Sequence, residues 1–195
     1  MNNMHAGAIA FLYRELGIKN VNATEKRYRF EHSLRVANIA GNIAKAEGQN
    51  ILTATLAAIL HDIGKYDTQI KEEHGRVSAE IARPFLMTLD ISERQIQNIQ
   101  YCIAAHVNGD AGYDYEDIAE AKTVIDADAI DRFGIYRILQ SMDFGEIETV
   151  EKAEILKKCK LGALTNFKTI LSTDTANIIF ESSLNALISS YHSLI

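Results

Sequence analysis

Four residues of this 195-residue chain combine types and spacing suited to metal chemistry: His32, His61, Asp62 and Asp128. His61 and Asp62 stand side by side at the end of the apolar run LAAIL. An imidazole and a carboxylate in such surroundings are costly unless they are paired or metal-bound. A cap or an ion pair is the ordinary use of such residues. The helix dipole, however, disfavours a carboxylate at a C-terminus, and a cation offsets that penalty. His32 continues the face formed by Val36, Ile39 and Ile43, which directs its ring inward. Asp128 shares a face with Ala121, Val124, Ile125, Arg132 and Ile135, whereas Asp126 is rotated to the opposite side. The wheel therefore predicts an inward Asp128, a solvated Asp126 and a surface Asp131. Two imidazoles and two carboxylates suit a divalent transition ion such as Mn, Fe, Co, Ni or Zn. They leave positions open for water and a substrate oxygen, as hydrolysis requires.

Other residues could complete such a site. His106 follows Ile96, Ile99 and Ile103 on one face and points inward near a helix end. His74 lies just before a helix expected to begin near Ser78, as a ligand or as a solvated loop residue. Lys65 is four residues past His61 and is either a phosphate contact or an ordinary lysine at a helix C-terminus. Arg35 and Arg132 are each one turn past a candidate ligand and could hold a phosphate or a carboxylate. Tyr113 and Tyr115 are placed to stack on a base or to pack beneath their loop. His5 and His192 have no carboxylate nearby in sequence and read as structural or solvated.

The elements that position these residues are helical. No run alternates in the manner of a strand, and the 3.6-residue period dominates. The first helix is expected over His5–Leu16, ending at Gly17. The second is capped by Thr24 and stops near Gly48, and the third is capped by Thr53 and closed by Gly64. A helix carrying Ile81, Phe85 and Leu89 should kink or restart at Pro84. Ser92 and Gln95 form a capping box for the helix leading to His106. The loop NGDAGYDYED follows, then a helix through VIDADAIDRFGIYRIL, then two more from about Glu146, the last starting after Thr173 or Asp174. The fold expected is an all-α orthogonal helical bundle, one domain over 1–195. Its motif-bearing core covers about 25–140, with the helices of 146–195 as an appendage.

Composition narrows the function. Apolar residues make up 47% of the chain and there is a single proline, so linkers and low-complexity segments have little room. The net charge of −6 comes without a clustered basic run, which argues against a duplex nucleic-acid partner. A small anion can still bind where a metal ion supplies positive charge. Cys102 and Cys159 form no CxxC pattern, and no basic n-region precedes an apolar stretch. A reducing cytoplasm, with no membrane span, is the expected setting.

The order His32, His61–Asp62 and a distant Asp128 resembles the HD superfamily of metal-dependent phosphohydrolases, in its stand-alone bacterial form. The strings EHSLRVANIA, AAILHDIGK and TVIDADAIDRFG carry the likeness over about Phe30 to Arg137. The resemblance implies an all-helical bundle in which His32, His61, Asp62 and Asp128 hold one ion. One ion or two is left open: HGRVSAEIA and IAAHVNG look like the segments that hold a second ion in dinuclear members, which would put it on His74 and His106 with Asp62 bridging; otherwise His74 is a solvated loop residue and His106 a buried, hydrogen-bonded one. The GYP string of the cyclic-dinucleotide phosphodiesterase branch is absent, and Val107 follows His106. DADAIDRFGIYRIL resembles a branch that includes nucleotide pyrophosphatases. A small phosphorylated substrate, a nucleotide first, is therefore expected, cleaved by metal-activated water with Asp62 and Lys65 in catalytic roles. The alternative is a catalytically quiet nucleotide-binding or regulatory module.

Overall fold

The computed structural model describes residues 3–132, 134, 136, 140 and 171–194, and no strand occurs among them. In chain order the helices are α1 (Asn3–Ile18), α2 (Ala23–Ala46), α3 (Ile51–Leu60), α4 (His74–Leu86), α5 (Glu93–Ala105), α6 (Ala119–Asp131) and α7 (Asp174–Leu194). A 3-10 turn, Lys71–Glu73, leads into α4. The all-α expectation is borne out. The chain divides into two compact units, Met1–Asp128 and Ala129–Ile195.

The first unit is organised around α3, whose residues from Thr53 to Leu60 are all buried. A helix that is apolar on every side belongs in an interior, and α3 packs against α1, α2, α4 and α5. α2 packs on α3 and α4 on α5, each pair joined by a short connection. Close approach between α3 and α4 depends on Gly64, where a Cβ would lie 2.7 Å from the Ser78 backbone nitrogen. The Gly64 N–H also donates to Ser78 Oγ at 3.0 Å, which fixes the turn after α3 against α4. α6 is tied to the α2–α3 turn by Thr123, whose hydroxyl donates to Gln49 Oε1 at 2.6 Å, and by Glu120, which accepts from the Asn50 N–H at 2.7 Å.

Several element ends differ from expectation for local reasons. Asn22, not Thr24, caps α2 by accepting from the Glu25 N–H, and Asn50, not Thr53, caps α3 by accepting from the Thr53 N–H. Asparagine is as good a cap as threonine or better, so the nearer threonine is drawn inside each helix. α1 runs through exposed Gly17 to Ile18. α4 starts at His74 rather than Ser78 and continues past Pro84 to Leu86. Pro84 and Glu80 are both exposed, on the turn where the proline's missing N–H leaves one carbonyl without its helical donor. Ser92 caps α5 through the Gln95 N–H as the capping box predicts. Gly48, just beyond α2, takes the positive φ of 68° that its position after a helix end favours.

α6 ends at Asp131 instead of running on; Arg132 lies in a turn, and the Gly134 N–H donates to the Asp131 carbonyl at 3.1 Å. In the second unit α7 begins after Thr173 as expected, with Thr173 Oγ1 accepting from the Ala176 N–H at 3.0 Å. The helix expected from Glu146, Cys159 and the side chain of His192 lie outside the described residues. Cys102 is buried, as its apolar context predicts. Among the described residues no helix is long and apolar enough to cross a membrane.

Because α3 is enclosed on every side, Leu56→Ala is expected to cost about 2–5 kcal/mol of stability. A urea titration followed by far-UV circular dichroism measures it as a lower midpoint.

Candidate metal centre

Six titratable side chains from five helices and their flanks meet inside the first unit. α2 supplies His32, and the turn closing α3 supplies His61 and Asp62. His74 is the first residue of α4, His106 follows the last residue of α5, and Asp128 comes from α6. None is more than 5% exposed, a degree of burial tolerated only where such groups are paired or coordinate a metal. His32 Nε2 lies 3.3 Å from His61 Nε2 and 3.2 Å from Asp128 Oδ1, and His61 Nε2 lies 3.8 Å from the same oxygen. On the other side, His74 Nε2 is 3.1 Å from His106 Nε2.

Asp62 joins the two groups. Its Oδ2 faces His61 Nε2 at 3.5 Å and His32 Nε2 at 3.6 Å. Its Oδ1 faces His74 Nε2 at 3.0 Å and His106 Nε2 at 3.6 Å. Burial works against ionisation of Asp62, but Arg29 foremost, then His61 and His106, hold its carboxyl well below the usual carboxylate range. Burial pushes the His106 pKa down, which keeps its imidazole neutral, as a metal ligand must be.

The donor set fits a divalent cation on two observations. Three of the histidines point Nδ1 at the carbonyl three residues upstream: His61 at Ala58 (2.7 Å), His74 at Lys71 (2.5 Å) and His106 at Ile103 (2.7 Å). A carbonyl only accepts, so each Nδ1 carries the proton and each Nε2 turns a lone pair into the centre. This is the tautomer control that metal-ligating histidines show. Secondly, Asp62 Oδ1 is buried and makes no hydrogen bond, although two histidine nitrogens lie within 3.6 Å of it. Ligand atoms of His32, His61 and Asp128, and those of His61, Asp62 and His106, lie close enough to share an ion.

Lys65 is brought to the same place, its Nζ donating to His74 Nε2 at 3.0 Å and lying 3.6 Å from Asp62 Oδ1. Arg35 is half-buried, and Arg132 is exposed. Asp126 and Asp131, expected in solvent, are buried. The wheel assumed one wet side, and α6 has almost none: Thr123, Val124 and every residue from Asp126 to Asp131 are buried. His5 is structural, its Nε2 lying 2.6 Å from Thr55 Oγ1. Tyr113 and Tyr115 pack with Tyr101 at centroid distances of 6.3 and 4.9 Å. Arg29, which donates to Asp62 Oδ2 from α2, was missed by the sequence reading. Its position three residues before His32, on the same helical face, was the available signal.

Comparison with known proteins gives three findings. A family model described as HD domain matches residues 29–132, just over half of the chain. Ribonuclease Y of Chloroflexus aurantiacus is 39% identical over 102 residues, 51% of this chain and 18% of that protein. Ribonuclease Y of Lawsonia intracellularis is 36% identical over 81 residues, 41% of this chain and 16% of that one. The chain thus spans less than a fifth of these relatives. Among solved structures, a predicted HD superfamily hydrolase from an uncultured Thermotogales bacterium superposes with a TM-score of 0.66 at 18% identity, covering 96% of this chain and 88% of the other. YpgQ of Bacillus subtilis, solved in complex with ADP, gives 0.64 at 20% identity, covering 98% and 95%.

Gly75 sets the spacing of the second histidine pair, since a Cβ there would meet the Ala104 carbonyl oxygen at 2.6 Å and His106 Nδ1 at 3.2 Å. Gly75→Ala is expected to lower stability by about 1–3 kcal/mol, the usual size of an overpacking penalty. An unchanged urea midpoint would show that α4 and α5 separate freely.

Proposed function

Because the chain belongs to the HD domain family, we propose that it is a metal-dependent phosphohydrolase acting on a phosphoester or phosphoanhydride bond of a nucleotide. The observation that carries this reading is the carboxylate of Asp62, whose two oxygens face two separate histidine pairs. His32, His61, Asp62 and Asp128 would hold one divalent ion, and Asp62, His74 and His106 a second. A bound ion supplies Lewis acidity and a water acidified towards neutrality.

The chain's own groups do the rest. Lys65, partly exposed beside Asp62 and His74, offers its ammonium to a substrate phosphoryl oxygen. Arg35, one turn beyond His32 and half-buried, offers a second cation; exposed Arg132 is given no role. The three Nδ1–carbonyl hydrogen bonds keep the imidazoles oriented while substrate charge arrives. Asp62, held ionised by its neighbours, is available as the shared acceptor at the middle of the centre. The ADP complex of YpgQ, whose fold covers nearly all of this chain, supports a nucleotide as substrate class.

The likeness to ribonuclease Y favours a second reading, cleavage of a phosphodiester in RNA. A Mn2+-supplemented screen over nucleoside mono-, di- and triphosphates, dinucleoside polyphosphates, generic phosphomonoesters and an RNA oligonucleotide separates the two. Turnover of nucleotides is expected. Cleavage confined to the oligonucleotide would replace the first reading, and nucleotide binding without hydrolysis under any divalent ion would leave a quiet binding module.

Two further outcomes are expected. His61→Ala and Asp62→Ala each lose both bound metal and hydrolysis, as elemental analysis and the same assay measure; full activity in either variant rejects the mechanism. Elemental analysis of the metal-loaded protein gives close to two ions per chain, falling towards one in His74→Ala. One ion in both proteins would remove the second site.

A further inference from the structure

We infer that Arg29 is a positioning residue of the metal centre: its guanidinium grips one oxygen of Asp62 and so turns the other towards His74 and His106. The inference rests on the metal-centre reading above and goes beyond it by assigning what aims the shared carboxylate. An aspartate needs such an anchor because its terminal torsion has a broad, shallow preference.

Arg29 is built to supply that anchor. Its Nη1 donates to Asp62 Oδ2, and the two side chains are only 12% and 4% exposed. The guanidinium carbon lies 5.3 Å from the centroid of the Tyr28 ring and 6.0 Å from that of Tyr66. Each ring is fixed in turn. The Tyr66 hydroxyl donates to Glu25 Oε2 at 2.9 Å, and Tyr28 lies against His32 with 5.6 Å between ring centroids and 14° between planes. One face of α2 therefore carries both His32 and the group that orients Asp62. Lys65 brings a cation to the opposite oxygen, Oδ1, so the two oxygens have different charge partners. A lysine in place of Arg29 would keep the charge but lose the planar fork and the aromatic contacts.

The test is titration of the 195-residue chain with Mn2+, following affinity by calorimetry and the bound ion by electron paramagnetic resonance. Arg29→Lys, with an unchanged circular dichroism spectrum, is expected to bind Mn2+ at least about tenfold more weakly, the effect usual for losing a partner of a metal-ligating group. Its resonance spectrum should change as well, which a loss of fold stability alone would not produce. Tyr66→Leu leaves every candidate ligand in place and is expected to weaken binding in the same direction, and it carries the test if Arg29→Lys does not fold. Wild-type affinity and spectrum in the folded variants would overturn the role of Arg29 while leaving the metal centre standing. Wild-type protein that binds no Mn2+ would overturn both.

Discussion

A carboxylate with 3% of its surface exposed stays ionised only if the protein replaces the solvation it has lost, and Asp62 sits where that replacement is concentrated. Desolvation pulls its pKa upward; Arg29, His61 and His106 pull harder in the opposite direction. Removing one partner of such a buried pair costs about 3–5 kcal/mol, because the other charge is left uncompensated. The surrounding helices are arranged to prevent that. α2 brings Arg29 and His32, the turn after α3 brings Asp62 and His61, and α4 and α5 close the other side with His74 and His106.

The placement of these residues on their helices follows from the backbone. His61 and His106 each follow a helix C-terminus, where the last carbonyls lack an intrahelical partner, and His74 opens α4. The imidazoles of His61 and His106 use carbonyls of the helices that precede them, and His74 uses one from the 3-10 turn. The same hydrogen bond that satisfies the backbone fixes which ring nitrogen faces inward. Local structure and site chemistry are thereby joined, and glycines at positions 64 and 75 let the helices come close enough for the two histidine pairs to share one carboxylate.

How much of this was legible in the sequence depended on how each residue announces itself. His61 and Asp62 stood out because an apolar run leads straight into them, and His106 because a 3.6-residue period led to it. His32 and Asp128 were read from their faces, and all are found together. The burial of Asp126 and Asp131 was not legible, since a wheel assigns polar residues to a wet side and α6 lacks one. The caps were misread by two or three residues because Asn22 and Thr24, or Asn50 and Thr53, are interchangeable as cap types. Arg29 left the least trace: its partner is 33 positions away, and a contact between side chains of different helices adds no periodicity to either.

The six donors are spread from residue 32 to residue 128 and come together only when five helices have docked. An unfolded chain offers an ion nothing comparable. On the proposed metal-centre reading, cation occupancy and conformational stability would be thermodynamically linked: free ion at a hundred times its dissociation constant would add about 2.7 kcal/mol to the native state. Metal supply in the protein's surroundings would thus set its resistance to unfolding and proteolysis, whatever substrate is at hand.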